Sequence, residues 1–507
     1  MEQKKLFELE HDISNWRVLS FSADKFAEEQ ARINLENKYI KITEITDDYN
    51  RQSVSYQLSK HDCLHRWLKY KEGFSADLVS KLLDEFNIKD GDVVLDPFLG
   101  SGTTSLVCNM RGIDSIGYDI LPISAISISA KQNIFRYSLS ELEHLYDAVK
   151  NLNIPSSFKQ RTKYINITQG AYSEHTEKEI EYITQWNSSS KYSREVKNLV
   201  TLCIVNSLER VSYTAKDGQY LRWDYRSPKM IVSAAKREKM GRKPLVVRLD
   251  KGKLPSMKEA LLSELQSVIM DINTVQNSVK KPLSSSINFI QGSALFELPK
   301  LQSNMISGVI TSPPYCNRYD YTRTYALELS YLKISDNSIK ELRQDLLSCT
   351  VENRSKLDRL REYYISLDRF DDFSKVINAV DNNRALQEIK RSLEMRSSNG
   401  DINNKGVLRM VNSYFTELAF MYFELFRVCK PGAKVAFVND NVRYGGEVIP
   451  VDFISTDIAE QLGFKALKVY TLKQQKGNSS QQMKKYGRVP LRKSITIWEK
   501  PVHQKTN

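Results

Sequence analysis

The chain has 507 residues, 41% of them hydrophobic, and 74 lysines and arginines against 61 aspartates and glutamates leave a formal charge of +13. This length permits roughly two to four domains, or one large α/β domain with insertions, and the positive balance favours a polyanionic partner whose phosphates release counterions on binding. No window approaches the roughly 18 consecutive apolar residues of a membrane helix, and the start, MEQKKLFELEHD, lacks a signal peptide's apolar stretch; a cytoplasmic location is expected, without membrane insertion.

In chain order, residues 1–60 form an N-terminal extension. The segment 61–131 holds a strand at Asp92-Val-Val-Leu-Asp96, a Gly/Ser/Thr turn, a helix from about Gly102 to Met110, and a second strand at Ser115-Ile-Gly-Tyr-Asp119. Together these make one βαβ unit of a doubly wound sheet, whose ligands bind beyond the carboxyl ends of the strands. A charged, mainly helical stretch, 132–286, is too long for a loop and reads as a folded insertion. Strands return at Ile287–Ile290 and Gly308–Thr311 within 287–332, and a second insertion occupies 333–405. In 406–501 a helix from about Ser413 to Cys429 stops at Lys430-Pro-Gly432, and a helix over Asp452–Leu462 separates the strands Lys434–Asn439, Ala466–Tyr470 and Ser494–Trp498. The expectation is a seven-stranded α/β sheet with two mainly helical insertions. The six cysteines, Cys63, Cys108, Cys203, Cys316, Cys349 and Cys429, lack the paired spacing of a zinc site or a disulfide framework, and no metal is expected.

Two strings carry chemistry. In Asp96-Pro-Phe98-Leu-Gly100-Ser101-Gly102-Thr103-Thr104, glycines directly after a strand let the backbone pass close under a ligand, and the following helix turns its amides toward anionic groups. Asp119, at the end of the next strand, is placed to accept from ribose hydroxyls. An acidic Asp96 would repel a pyrophosphate. A ligand with both an amino group and a carboxylate fits better, and S-adenosylmethionine has both: Asp96 would pair with the amino group, and the amides of Ser101 to Thr104 would face the carboxylate. The second string, Thr311-Ser312-Pro313-Pro314-Tyr315, follows a strand. Its prolines hold the Ser312 hydroxyl and Pro313 carbonyl rigidly as acceptors for an exocyclic amine, and Tyr315 supplies a flat face for a planar base.

These strings resemble the cofactor and catalytic motifs of the amino-methylating DNA methyltransferases, and the Ser-Pro-Pro-Tyr form resembles the cytosine-N4 branch. His65 to Leu78, HRWLKYKEGFSADL, is similar to the segment that closes over the methionine moiety, from which Phe74 and Ser75 carry over. Tyr414 to Lys500 looks like the second half of the methyltransferase sheet. Where many relatives place an acid near the adenine amine, this chain has Gln291-Gly-Ser293, and Ser293 is the corresponding acceptor. The resemblance implies S-adenosylmethionine as cofactor, duplex DNA with a flipped-out base as substrate, a cognate restriction endonuclease as companion, and target recognition or DNA binding by 132–286, with target recognition or a lid from 333–405. Oligomeric state, recognised sequence and companion nuclease are not legible. Adenine-N6 transfer, an RNA guanine-N2 methyltransferase and a catalytically inactive DNA-binding subunit remain alternatives.

Direct methyl transfer is expected, with Ser312 and Pro313 orienting the amine. Cys316 lacks the Pro-Cys context of ring-carbon attack. Basic residues cluster at Lys229–Lys253 (nine basic, two acidic) and Lys473–Lys493 (seven basic, none acidic), both candidate phosphate-tracking surfaces. The aromatic and cationic string Ser212–Arg226 reads as a hairpin that packs or stacks a base.

Overall fold

The computed structural model describes residues 29–50, 52–70, 73–160, 164–217, 220–243, 249–278, 285–472 and 491–502. Twelve strands are found among them: β1 (Thr43–Thr46), β2 (Val93–Asp96), β3 (Asp114–Asp119), β4 (Thr214–Asp217), β5 (Tyr220–Trp223), β6 (Ile287–Gln291), β7 (Ile306–Thr311), β8 (Cys429–Asp440), β9 (Val442–Tyr444), β10 (Glu447–Ile449), β11 (Lys465–Leu472) and β12 (Lys493–Glu499).

Eight of these form the central sheet, in the order β1-β11-β12-β8-β7-β2-β3-β6. Only β12 runs antiparallel to its neighbours. The seven expected strands are all present; the eighth, β1, comes from the N-terminal extension and pairs in parallel with β11 at the sheet edge. The Lys430-Pro-Gly432 stop falls inside β8. There the ladder passes from Ile306↔Cys429 to Gly308↔Lys434, so the extra residues bulge out and the helix ends one residue early, at Val428.

Alternating side chains divide the sheet between two cores, as the period of a strand requires. Leu95, Val309, Val435 and Phe437 face the helices Gly406–Val428 and Val451–Gln461. Val94, Ile310, Ala436 and Val438 face the helices Ala76–Glu85 and Thr103–Met110. The helix Gly406–Val428 is buried almost all round because segment 333–405, folded as helices, covers its outer side. Buried ion pairs fasten that cover: Lys356 to Glu417 at 3.0 Å, and Arg32 to Glu388 at 2.7 Å and Glu447 at 3.0 Å.

The stretch 132–286 adds helices Leu139–Lys150, Glu174–Ser189, Arg194–Val211, Pro228–Lys239 and Met257–Ser278 and the β4–β5 hairpin. It shares a third core with Trp67, Tyr70, Leu121 and Tyr325. Asp271 fixes the segment leading to Tyr70, accepting from Leu64 N at 3.0 Å and Trp67 Nε1 at 2.9 Å. No described helix is long and apolar enough to cross a membrane.

Candidate active site

The chain order reverses between β2 and β7: β3 and β6 lie to one side of β2, and β7 to the other. Ligands of open α/β sheets bind at such a switch point, beyond the carboxyl ends of the strands. The loops after β2 and β7 emerge there side by side, and Asp96 joins them. Its Oδ1 accepts from Thr311 Oγ1 at 2.7 Å and Phe98 N at 3.0 Å, and its Oδ2 from Thr104 Oγ1 at 2.6 Å. Burial raises its carboxyl to about 6, against the pull of these hydrogen bonds. The Asp96 carboxylate is buried, held by its own loops, and off the cavity wall.

Gly100 (φ 57°) and Gly102 (φ 92°) adopt left-handed conformations that disfavour a side chain. A Cβ would also stand 2.9 Å from Tyr70 Cε1 at Gly100, and 2.8 Å from Ile128 Cγ1 at Gly102. The loop is tied down on both sides. Gly100 N donates to Asp119 Oδ2 at 2.9 Å, and Leu121 N to Asp119 Oδ1 at 2.7 Å. The Ser101 carbonyl accepts from Lys131 Nζ at 2.8 Å and Ser127 Oγ at 3.1 Å. Desolvation lifts the Asp119 carboxyl to about 7 and lowers the Lys131 ammonium to about 7.

In front of these loops lies a cavity that opens to solvent. Phe74, Phe98, Gly100, Ser101, Thr103, Asp119, Ser293, Ser312 and Pro314 line it; Ser75, Asp96, Gly102, Thr104, Pro313 and Tyr315 do not. Ser75 instead caps the helix Ala76–Glu85, accepting from Leu78 N at 3.3 Å. Tyr315 is 2% exposed, with Lys493 Nζ 4.8 Å from its ring centroid, so an ammonium lies over the ring. Ser312 Oγ donates to Tyr315 Oη at 3.1 Å, and Ser293 Oγ to the Asp345 carbonyl at 3.2 Å, leaving lone pairs on both hydroxyls. Burial pushes the Cys316 thiol well above its usual range, while Tyr444 Oη grips the Cys316 carbonyl at 2.6 Å.

Several wall residues escaped the sequence reading. Tyr70, within HRWLKYKEGFSADL, stacks on Tyr325 at 5.2 Å; its aromatic character beside Phe74 was the available signal. Leu346 and Leu347 come from segment 333–405, where an apolar pair in a charged stretch says nothing of a ligand. Of the second basic cluster, 473–490 lies outside the described residues. Arg492 and Lys493 are buried, Arg492 against Asp452 at 3.0 Å and Glu36 at 2.7 Å, so these two do not belong to a free basic surface.

Residues 12–127 match the DNA methylase family of N6/N4 type. Over 96% of its length the chain is 54% identical to the type II methyltransferase M.BsoBI of Geobacillus stearothermophilus, covering 95% of that protein. Over 98% of its length it is 38% identical to the type II methyltransferase M.AvaI of Nostoc sp. (strain PCC 7120), covering 99%. The chain belongs to the amino-methylating type II DNA methyltransferases.

The family implies S-adenosylmethionine as methyl donor of this methyltransferase, and the residues present fit it. On the cavity wall a carboxylate held by two backbone amides stands at the end of β3, and a hydroxyl with free lone pairs stands after β6.

Proposed function

We propose that this methyltransferase modifies the exocyclic N4 of cytosine in duplex DNA as the protective half of a restriction–modification pair, receiving the target base flipped out of the helix. The observation that carries the reading is the Thr311–Asp96 hydrogen bond, which holds the Ser312-Pro313-Pro314-Tyr315 loop at the edge of the cofactor cavity. Asp119 would hold the ribose hydroxyls of S-adenosylmethionine, Ser293 the adenine amine, and Phe74 with Gly100, Ser101 and Thr103 the methionine end. When bound there, the cofactor supplies an electrophilic methyl on its sulfonium.

The protein's task is to make an aromatic amine nucleophilic. The lone pair of such an amine is delocalised into the ring. Ser312 Oγ and the Pro313 carbonyl accept the two amino hydrogens and aim the nitrogen, so that the gain is orientation. Ser312 is a weak base, and the nitrogen loses its proton to solvent after transfer. The buried, protonated Cys316 takes no part, which argues against a covalent enzyme–base intermediate. A recessed cavity needs an extruded base, because the amine of a stacked cytosine stays inside the duplex.

The acceptor test incubates the enzyme with methyl-labelled S-adenosylmethionine and, in parallel, duplex DNA, single-stranded DNA and tRNA. Label in duplex DNA is the expected result. Label confined to tRNA, or none anywhere, would overturn the reading.

A further inference from the structure

The helix Pro228–Lys239 has no buried residue along its length. So short a helix is marginal in water by itself, and surface helices are normally held by an apolar stripe turned to the core. Here apolar side chains point outward. Tyr225, Ile231, Val232 and Met240 are each more than half exposed, and they are four of the eleven exposed large apolar side chains among the described residues. Around them stand Lys229, Lys236, Arg237, Lys239, Arg242 and Lys243, against one acid, Glu238.

The element is nevertheless fixed at its base. Asp224, fully buried, accepts from Arg226 Nη2 at 2.6 Å and Nε at 2.9 Å, and from Lys251 N at 2.7 Å, which closes the excursion. Lys251 Nζ donates to the carbonyls of Ser212 at 2.7 Å and Thr214 at 2.9 Å. Ser227 Oγ caps the helix by accepting from Met230 N at 3.2 Å. This base stands beside the active site. Strand β5, which leads into the excursion, packs against Tyr321–Thr324, and Tyr321 lines the cofactor cavity. Lys216 of β4 is ion-paired with the buried Glu328 just beyond.

A rigidly rooted, projecting, net-positive helix beside a site that must receive a base from a duplex has one chemically matched occupant. Its basic end suits phosphates. Its outward Ile231 and Val232 suit thymine methyl groups, and the major groove, about 12 Å wide, admits a helix. We propose that residues 224–243 are the duplex-docking element of this methyltransferase, with helix Pro228–Lys239 in the major groove and Lys236, Lys239 and Arg242 on the phosphates. This rests on the reading of duplex DNA as substrate.

The test compares the full-length enzyme with a Lys236→Glu/Lys239→Glu/Arg242→Glu variant, measuring binding to a random-sequence 30-base-pair duplex pool by fluorescence anisotropy across a salt series. Duplex affinity should fall at least about tenfold, and the slope of log affinity against log salt should shrink by about 2–3, near 0.9 for each phosphate that is no longer neutralised. S-adenosylmethionine affinity and melting temperature should not move, since these side chains are exposed. A second variant, Ile231→Ser/Val232→Ser, should keep the salt slope and alter which plasmid sites become methylated. Unchanged duplex affinity and salt slope in the charge variant would overturn the proposal. So would a loss of self-association with DNA binding intact, because the surface would then serve a protein. A wild-type enzyme that labels no duplex DNA would instead fail the functional reading itself.

Discussion

Valine in place of Thr311 keeps the β-branched shape at the end of β7 and deletes only the hydroxyl that ties the catalytic loop to Asp96. A hydrogen bond to an ionised group is worth roughly 1.5–3 kcal/mol. Asp96 keeps Phe98 N on Oδ1 and Thr104 on Oδ2, so the carboxylate is not stranded, and the lower end, about 1.5–2 kcal/mol, is expected. Its carboxyl, already at about 6, should rise further, because one of the bonds holding it down is gone. The larger effect is geometric. A reacting group displaced by about 1 Å can lower the rate roughly 100-fold, so kcat should fall about 10- to 100-fold. The cavity wall is untouched, so the dissociation constant of S-adenosylmethionine should stay within about threefold, well under the roughly 1.4 kcal/mol of a tenfold change. Steady-state methylation with labelled cofactor gives kcat, calorimetric titration gives the affinity, and Thr311→Ser should restore most of the activity. Full turnover by Thr311→Val, or a loss of cofactor binding as large as the loss in kcat, would refute this assignment.

Tyr315→Ala should lower methylation while cofactor binding persists; lost binding with normal turnover of the bound complex would reverse the assigned roles. Lys216→Met leaves the Glu328 carboxyl buried without its cation, which should destabilise the enzyme by about 3–5 kcal/mol. Adding Glu328→Gln should recover part of that loss in a urea titration. For Asp96 the folded-state value, about 6, exceeds the unfolded 3.8, so the native fold favours the protonated form. Its destabilising contribution, about 3 kcal/mol at 1.36 kcal/mol per unit, is full above pH 7 and lessens as pH falls through 6 toward 3.8. About 1 kcal/mol should be regained between pH 7.5 and 5.5, seen as the difference in urea midpoint between wild type and Asp96→Asn. His65, lowered by burial to about 3, acts in the opposite sense and cancels in that difference.

The central strands were legible because buried parallel strands are short apolar runs between turn residues, as in Asp92–Asp96 and Gly308–Thr311. β1 was not: Thr43-Glu-Ile-Thr46 has one large apolar residue, and its place is set by pairing with β11. That 132–286 and 333–405 interrupt the strand–helix alternation could be read from the sequence. Their packing could not, because Asp271 reaching Trp67, or Lys356 reaching Glu417, joins residues far apart in the chain. At the site, sequence order placed both motifs after strands, but not the side-by-side arrangement in which Asp96 links the two loops. Tyr315 likewise reads only as a flat aromatic face, and the string does not show the Lys493 that β12 brings over it.

The identity of the methylated nucleoside tests the central claim most directly. Duplex DNA treated with the enzyme and labelled S-adenosylmethionine is digested to nucleosides and resolved by mass spectrometry. The proposed chemistry predicts label in N4-methylcytosine. Label in N6-methyladenine would contradict the cytosine assignment while leaving the acceptor geometry in place, and label in 5-methylcytosine would contradict the amine mechanism itself.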